Sequence, residues 1–436
     1  MSNDGHKTWT IALNHVTRVE GHGAIKVSTR DGKVEELKLS IIEAHRFFET
    51  FTEGMLPHEI PWIVGRICGI CCVGHQLAAS KAVESALGLT VSAQSQRLRR
   101  LLNESQFLQS HLLHVYFLAV PDYVGVPSVL PLIKTHPEVV KRALKLKHLA
   151  NEFTTVIGGR ALHPMSNTLR GWRKLPDLDK LEQIRARLID ALPDLDATVG
   201  IVKSLKIPDF ERETEYVSLK HPDEYALYDG EVYSSDSGET TPASDYRNIT
   251  NEFTVPHSTA KWARWHRESY MVGALARVNN NYHQLHPAAQ QAAETLGLRA
   301  PCYNPYMNNV AQVVEIVHCA HNSLAMLEQV LNEGLVEEDI DYTPGPGHGV
   351  GAIEVPRGTL FHEFRFDDQG RCCDSDAVIP TSQNINNIER DMKAFAPRMV
   401  AEMSRDEVTL HLEMLLRAYD PCISCSVHML DVEFVD

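Results

Sequence analysis

The chain has 436 residues, of which 43% are hydrophobic and 23% are charged, and its formal net charge is −15. These values are typical of a globular protein, and they exclude a disordered chain, a collagen and a coiled coil. The negative charge repels phosphate groups, so we expect no nucleic acid partner. No apolar run approaches the roughly 18–20 residues that a membrane-spanning helix needs. Because we also find no signal peptide, we expect a cytoplasmic protein.

Residues 1–45 alternate polar and apolar side chains, and this alternation predicts an N-terminal β region. We expect strands over Trp9 to Val16, Gly23 to Ser28 and Val34 to Ile41. Asp31-Gly32 is a dipeptide typical of a hairpin turn, and it lies between the second and third of these strands.

Most of the remaining chain has a helical pattern, with apolar residues at three- and four-residue spacing. Helical segments are predicted over Cys68 to Leu87, Val91 to Phe117, Pro137 through Ile157, Trp262 to Leu296, Asn309 to Leu331 and about Ile385 to Tyr419. We find no internal repeat, and the pattern predicts one large domain over residues 1–436. The expected fold class is mainly α with small β elements (α+β), built on a large helical-bundle core.

Three segments interrupt the helical pattern. Residues 211–254 are acidic and polar, so we predict an exposed loop or a small peripheral lobe. The glycine- and proline-rich stretch from Thr343 to Gly351 predicts irregular backbone. A second strand pair is expected over Gly358 to Phe366 and Ala377 to Ile379.

Two Cys-x-x-Cys pairs lie near opposite ends of the chain, Cys68 with Cys71 and Cys422 with Cys425. A short turn aims side chains three residues apart in the same direction. Four thiolates from two such pairs can therefore enclose a soft metal. Structural zinc is one interpretation, although zinc-binding pairs usually lie about 15–20 residues apart. An iron–sulfur cluster is compatible with the same spacing.

The motifs RICGIC (Arg66 to Cys71), DPCISCSVH (Asp420 to His428) and RVEGH (Arg18 to His22) closely resemble those of the large, catalytic subunit of nickel–iron hydrogenases. The resemblance covers nearly the whole chain. It continues in the expected order through RFFE (Arg46 to Glu49), GGRALHP (Gly158 to Pro164), VGALARVN (Val272 to Asn279), EVPRGTLFHEF (Glu354 to Phe364) and PTSQN (Pro380 to Asn384).

The resemblance implies a nickel–iron centre held by all four thiolates of the two pairs. Cys68 and Cys422 would bind nickel alone, whereas Cys71 and Cys425 would bridge nickel to iron. In this family the iron also carries carbon monoxide and cyanide, which maturation enzymes supply. The residues at the positions that surround these diatomic ligands are Pro356, Arg357 and Thr381.

The activity implied is the reversible heterolytic oxidation of dihydrogen to protons and electrons. The base would be the thiolate of Cys422 or the guanidinium of Arg357, and Asp420 is the expected carboxylate partner of that guanidinium. Glu20 matches the glutamate that transfers protons, and His75 would donate a hydrogen bond to a cluster thiolate.

A further hard cation is implied by Glu49, His428 and the carbonyl group of Ile385. The carboxylate and the carbonyl suit magnesium, and the imidazole also admits iron. The remaining cysteines have no family role, and we predict that they are buried small apolar residues. They are Cys72, Cys302, Cys319, Cys372 and Cys373.

The chain has no further cysteine group with cluster spacing, so we expect no iron–sulfur cluster on it and a separate iron–sulfur small subunit as its partner. Ser110-His111 and the residues after it resemble the soluble, cytosolic, multisubunit branch of the family (bidirectional, group 3-like). Members of that branch use NAD(P), coenzyme F420, ferredoxin or heterodisulfide reductase. Because no Gly-x-Gly-x-x-Gly motif follows a strand, the flavin, NAD(P), F420 or heterodisulfide reductase modules would be partner subunits.

Residues 429–436 follow His428, and related large subunits are cut after this histidine once nickel is in place. We therefore expect a maturation protease and nickel chaperones as transient partners. Two alternatives from other classes stay open on the sequence. One is a quinone-module subunit like that of respiratory complex I, which lacks the four cysteines, and the other is an interaction subunit stapled by structural zinc.

Overall fold

The structure, a computed structural model, describes residues 8–427. Its strands are β1 (Trp9–Leu13), β2 (Gly23–Arg30), β3 (Lys33–Ile41), β4 (Asn167–Thr168), β5 (Gly171–Trp172), β6 (Glu215–Lys220), β7 (Glu231–Ser234), β8 (Thr240–Thr241), β9 (Phe253–Val255), β10 (Ser258–Trp262), β11 (Tyr270–Met271), β12 (Gly347–Val355), β13 (Gly358–Phe366) and β14 (Cys372–Val378). Its helices are α1 (Phe48–Thr52), α2 (Ile60–Val64), α3 (Cys72–Ala86), α4 (Ala93–Leu113), α5 (Val120–Tyr123), α6 (Leu132–Thr135), α7 (Pro137–Gly158), α8 (Leu178–Lys203), α9 (Tyr246–Thr250), α10 (Ala274–Asn281), α11 (Pro287–Thr295), α12 (Asn308–Glu333), α13 (Pro380–Glu402) and α14 (Arg405–Ala418).

Long helices form the centre of the molecule. Helix α4 packs against α7 and α12, and α12 also packs against α8. The side chain of Ser92 accepts the amide of Ser95 and so caps the start of α4, and Gly159 ends α7 in a left-handed conformation. Beyond Leu113, α4 continues as a π-helix over His114–Ala119. The predicted α+β fold with a large helical core is confirmed. Among the described residues, no helix is both long enough and apolar enough to cross a membrane.

The N-terminal strands form a sheet with the order β1-β2-β3-β10-β9. Alternate residues of β2 are buried, as the polar–apolar alternation of the sequence predicts. Strand β1 ends at Leu13, before the predicted limit of Val16. The apolar face of this sheet packs on α13, through the contact between α13 and β3.

The stretch from Thr343 to Gly351 was predicted as irregular backbone, and this is wrong for its second half. Strand β12 begins at Gly347 and pairs antiparallel with β13, which pairs in turn with β14. Gly347, Gly349 and Gly351 all face α3, where an added Cβ would overlap the helix backbone. The glycines therefore permit close packing of helix on strand, which the sequence pattern alone does not distinguish from a flexible loop.

Two helical predictions also need correction. The segment predicted as one helix from Ile385 to Tyr419 is two helices, because Ser404 forms a capping box with Glu407 and starts α14. The segment from Trp262 to Leu296 contains the end of β10, the short strand β11 and the two helices α10 and α11. Gly273, with φ of 119°, separates β11 from α10.

Residues 211–254, predicted as an exposed loop or a peripheral lobe, contain the strands β6, β7 and β8. Strand β6 is buried along nearly its whole length and pairs with β7 and β11. The carboxylate of Glu215, the first residue of β6, accepts hydrogen bonds from Ser234 and His266. The polar side chain of this buried strand is therefore hydrogen-bonded inside the protein. Because the sequence reveals polarity but not these partners, the burial of β6 was missed. Most residues from Ser235 to Thr241 are exposed.

Candidate metal centre

The two cysteine pairs meet inside the protein. Cys71 immediately precedes α3, and Cys422 and Cys425 lie in the turn that follows α14. The Sγ atoms of Cys68, Cys71, Cys422 and Cys425 all lie within 4.8 Å of one another, and all four residues are buried. Cys68 Sγ is 3.5 Å from Cys422 Sγ, and the sulfurs of Cys422 and Cys425 are close enough to form a disulfide bond. A metal held by all four sulfurs would take them as thiolates.

The backbone around the first pair favours a thiolate at Cys68. The amide groups of Ile70 and Cys71 point at Cys68 Sγ, at 3.2 and 3.1 Å. Burial opposes ionisation of Cys68, but a hydrogen bond from the Cys71 thiol and the charge of Arg357 lower the pKa of Cys68 to about 7. The same arrangement raises the pKa of Cys71 well above its ordinary value, because the neighbouring Cys68 takes the negative charge.

The N-terminal region joins the second pair through Glu20. The backbone carbonyl of Glu20 accepts the amide of Ile423 at 2.9 Å. Its carboxylate lies 3.2 Å from Cys422 Sγ, accepts the Ser424 amide at 3.1 Å and contacts the Ser424 hydroxyl. Glu20 therefore lies beside the sulfur of Cys422, and its role in proton transfer stays a prediction.

Arg357 lies at the tip of a buried hairpin. Pro356 and Arg357 form the two-residue turn between β12 and β13, and Gly358 leaves the turn with φ of 135°. The guanidinium donates from Nη2 to Asp420 Oδ1 at 2.8 Å and from Nε to the Asp420 carbonyl at 2.6 Å. Its Nη1 is buried and has no hydrogen-bond partner within residues 8–427. Burial opposes the charge, but Asp420 and the neighbouring thiolates raise the pKa of Arg357.

Thr381 is joined to the second cysteine pair. It is buried in the first turn of α13, and its Oγ1 accepts the amide of Cys422 at 2.9 Å. His75 is buried on α3, and its Nδ1 lies 3.0 Å from Nε2 of His362. The hydrogen bond that we expect from His75 to a cluster thiolate stays a prediction.

Two of the residues expected to hold a second cation lie on separate elements. Glu49 belongs to α1, and its Oε1 accepts the amide of Ala377 at 3.0 Å. Ile385 is buried in α13. His428 lies outside the described residues, so the predicted set of three stays a prediction.

Two arginines around the centre were missed by sequence reasoning. Arg46 donates to the carbonyl groups of Ile67 and Ser424, and so it ties the two cysteine segments together. Behind Pro356 and Arg357, the fully buried Arg277 pairs with two glutamates of distant elements. Arg46 and Arg277 both lie in motifs that carry the family resemblance, and this was the sequence feature that could have pointed to them. Their partners depend on the folded chain.

The other cysteines are only partly as predicted. Cys72, Cys319 and Cys372 are buried, and Cys302 is half-buried. Cys373 is exposed, contrary to our prediction, because successive residues of β14 face opposite sides and Cys372 takes the inner position. Cys72 Sγ accepts the amide of His163, and burial raises the pKa of Cys72 to about 11.

The residues present suit a soft metal. Four buried sulfurs converge on one point, a glutamate lies beside one of them, and a buried guanidinium nitrogen nearby has no protein partner among the described residues. The helical core and this set of thiols define a protein with a thiolate-bound metal centre.

Comparison with known proteins narrows this class. Residues 46–141 and 199–428 match the model of the nickel-dependent hydrogenase family, and residues 10–44 match one described as HoxL-like. The chain is 34% identical over 422 residues to sulfhydrogenase 1 subunit alpha of Pyrococcus furiosus, covering 96% of this chain and 98% of that protein. It is 28% identical over 471 residues to the NAD-reducing hydrogenase HoxS subunit beta of Cupriavidus necator, covering 96% and 95%.

A solved NAD⁺-reducing [NiFe]-hydrogenase in the H2-reduced state has a similar fold, with a TM-score of 0.86 and 27% identity. The match covers 97% of this chain and 100% of that one. The chain therefore belongs to the nickel-dependent hydrogenase family, as the catalytic subunit of a [NiFe]-hydrogenase. This assignment replaces the two alternatives from other classes.

Proposed function

We propose that Cys68, Cys71, Cys422 and Cys425 would hold the nickel–iron group through their thiolates. The observation that carries this proposal is the convergence of four buried sulfurs within 4.8 Å. Such a set of soft donors suits nickel and iron in a thiolate environment. When bound, the group supplies the Lewis acidity and the redox change with which dihydrogen is split heterolytically.

Carbon monoxide and cyanide on the iron would face Pro356, Arg357 and Thr381. The buried Nη1 of Arg357, which has no partner within residues 8–427, is a donor of the kind that a cyanide nitrogen could accept from. Asp420 holds the guanidinium from its other side. Arg357 would thus keep a positive charge at the centre and exclude bulk water from it, because the residue is 4% exposed.

The proton released from dihydrogen would move through Cys422 and Glu20. These residues are 3.2 Å apart from sulfur to carboxylate oxygen, which is within reach of direct transfer. The carboxylate also meets the hydroxyl of Ser424, which provides a next hydrogen-bonded group. We place Glu49, the Ile385 carbonyl and His428 around a magnesium or iron ion, and His75 in a hydrogen bond to a cluster thiolate.

Electrons would leave to an iron–sulfur small subunit and then to a soluble acceptor, in a cytoplasmic complex. The relatives include subunit alpha of a sulfhydrogenase and subunit beta of an NAD-reducing hydrogenase, which supports a multisubunit assembly. Flavin, NAD(P), F420 or heterodisulfide reductase modules would be its further partners. We also infer that maturation removes residues 429–436. Intact mass of the active protein tests this, and a retained tail in active material would contradict it.

The metal assignment is tested by infrared spectroscopy of the natively purified complex, with nickel and iron quantified in the same sample. We expect carbon monoxide and cyanide stretches and about one nickel per chain. Cys425→Ser should abolish both. Cys72→Ser is the matched control, because Cys72 is equally buried but lies outside the four-sulfur group. Zinc alone in the wild-type site would contradict the assignment.

The proton route is tested by Glu20→Gln, which removes the ionisable group and keeps its size. Nickel content and infrared bands should match the wild type, while turnover should fall by about 10²- to 10⁴-fold. Glu43→Gln is the control, because Glu43 lies close by and accepts the His22 amide without contacting a cysteine sulfur. Wild-type turnover in Glu20→Gln would remove Glu20 from the route.

A further inference from the structure

A buried chain of hydrogen bonds extends from Arg357 away from the sulfurs. The Asp420 carboxylate accepts Arg357 through Oδ1 at 2.8 Å and Gln312 Nε2 through Oδ2 at 3.0 Å. The Gln312 Oε1 lies 2.6 Å from Nδ1 of His114, and Nε2 of His114 lies 2.8 Å from the carbonyl oxygen of Arg417. Gln312, His114, Asp420 and Arg357 are each at most 4% exposed.

The order of donors and acceptors along this chain is determined by Asp420. Its carboxylate is paired with a guanidinium and is an acceptor only, so Gln312 must present its NH2 group to it. The amide oxygen of Gln312 then faces Nδ1 of His114. The carbonyl of Arg417, which also can only accept, faces Nε2. Each ring nitrogen of His114 therefore faces an acceptor, and Nε2 also lies 3.8 Å from Asp420 Oδ1.

This chain of hydrogen bonds joins three helical elements at one point. His114 is the first residue of the π-helix that extends α4, Gln312 lies in α12, and the Arg417 carbonyl belongs to the last turn of α14. A π-turn changes the direction in which the following side chains point, and such turns often occur at functional sites. Asp420 lies two residues after the end of α14 and has φ of 50°, a strained backbone conformation that persists where surrounding contacts hold the residue.

We propose that Gln312 and His114 are positioning residues for the hydrogenase reaction, which fix Asp420 and thereby the guanidinium of Arg357 at the metal centre. This inference rests on the role of Arg357 given under the proposed function. Asp420 receives one donor on each carboxylate oxygen. Loss of the Gln312 donor frees Oδ2 and lets the carboxylate rotate, and the guanidinium that it holds moves with it.

The test uses the complete purified complex carrying Gln312→Met, which keeps the side-chain length and removes both hydrogen bonds. We expect nickel content like the wild type, a turnover number for dihydrogen oxidation lower by about 10- to 100-fold, and an unchanged KM. The infrared stretches of the centre should shift, because the guanidinium beside the diatomic ligands has moved. In an Asp420→Asn background, Gln312→Met should cause no further loss, since both changes act through one carboxylate.

Gln109→Met is the matched control. Gln109 is equally buried and hydrogen-bonded, but its partners are Thr154 and the carbonyls of Ala150 and Ala161. Wild-type turnover and infrared bands in Gln312→Met overturn the proposal. So does a loss of thermal stability and turnover no different from that of Gln109→Met, because the role would then be structural only.

A second variant, His114→Gln, replaces the two ring nitrogens by one amide group and should give a smaller loss with a shift of the same bands. If Gln312→Met cannot be purified with its metals bound, the turnover and infrared bands of His114→Gln provide the test. The proposed role of Arg357 and the proposed role of Gln312 can be refuted independently of each other. Wild-type turnover in Arg357→Lys would remove the role of Arg357, whereas the infrared response of Gln312→Met reports whether Gln312 controls the surroundings of the centre.

Discussion

Arg277 lies behind the centre, and its replacement should weaken the scaffold that holds the centre. Its side chain is fully buried and donates to both oxygens of Glu315, at 2.6 and 2.8 Å, and to Glu354 at 2.8 Å. It also donates to the carbonyl groups of Val355 and Pro356, each at 2.9 Å. Arg277 thus attaches helix α12 to the turn that carries the guanidinium of Arg357.

Arg277→Met replaces this cation by an apolar side chain and leaves two buried carboxylates without it. Breaking a buried ion pair from one side costs about 3–5 kcal/mol. At 1.4 kcal/mol per tenfold change, the unfolding equilibrium constant should rise by about a hundred- to a few thousand-fold. Burial opposes ionisation of Glu315, but Arg277 and His111 lower its pKa to about 2. Without the guanidinium this pKa rises, so the carboxylate binds a proton more easily and the loss should be smaller at pH 5 than at pH 8.

The assay is urea unfolding of the purified complex, followed by tryptophan fluorescence, with nickel content measured on the same preparations. Arg398→Met is the control, because the Arg398 side chain is 51% exposed and pairs with Glu402, whose side chain is 58% exposed. Such an exposed pair should contribute less than about 1 kcal/mol. Equal losses in the two variants, or a loss in Arg277→Met that does not depend on pH, would refute the reasoning.

Three further predictions concern the scaffold, and urea unfolding measures each of them. Burial raises the pKa of Glu104 to about 8, so the folded protein keeps a proton that the unfolded chain releases. The free energy of unfolding should therefore fall as pH rises towards 8. Glu104→Gln should abolish this pH dependence, and an unchanged pH dependence would contradict the prediction. Gly349→Ala puts a methyl group against the backbone of α3 and should cost about 1–3 kcal/mol, whereas Gly345→Ala, with open space around it, should change stability by less than about 0.5 kcal/mol. Gly200→Ala, at an open position inside α8, should stabilise the protein by about 0.5–1 kcal/mol. A decrease in stability would contradict this prediction, because it would mean that the added methyl group clashes with a neighbouring atom.

The sequence was most informative where local spacing determines the chemistry. A Cys-x-x-Cys turn aims both sulfurs at one point, so the pairing of Cys68 with Cys71 and of Cys422 with Cys425 could be predicted before any fold was known. The long helices followed from apolar periodicity in the same way. The meeting of the two pairs, and the place of Glu20 beside Cys422, came from resemblance to a family and not from spacing.

Long-range partners could not be predicted in this way. Gln312 and His114 lie in helices whose pattern indicates only burial, and their meeting with Asp420 depends on how α12, α14 and the π-helix cross. The strand beginning at Gly347 was missed because glycine periodicity has two physical meanings. Glycine gives freedom to a loop, and it also gives room to a strand against a helix.

The glycines of β12 have a consequence for how the centre keeps its dimensions. Helix α3 starts directly after Cys71, and β12 leads through Pro356 to Arg357, so the two elements that touch along the glycines carry the sulfur and the guanidinium. Main chain rests on main chain there, without side chains between them. Substitution of core side chains elsewhere should therefore leave the gap between sulfur and guanidinium unchanged. An engineer who wished to widen that gap would have to alter the glycines and not the pocket around the metals.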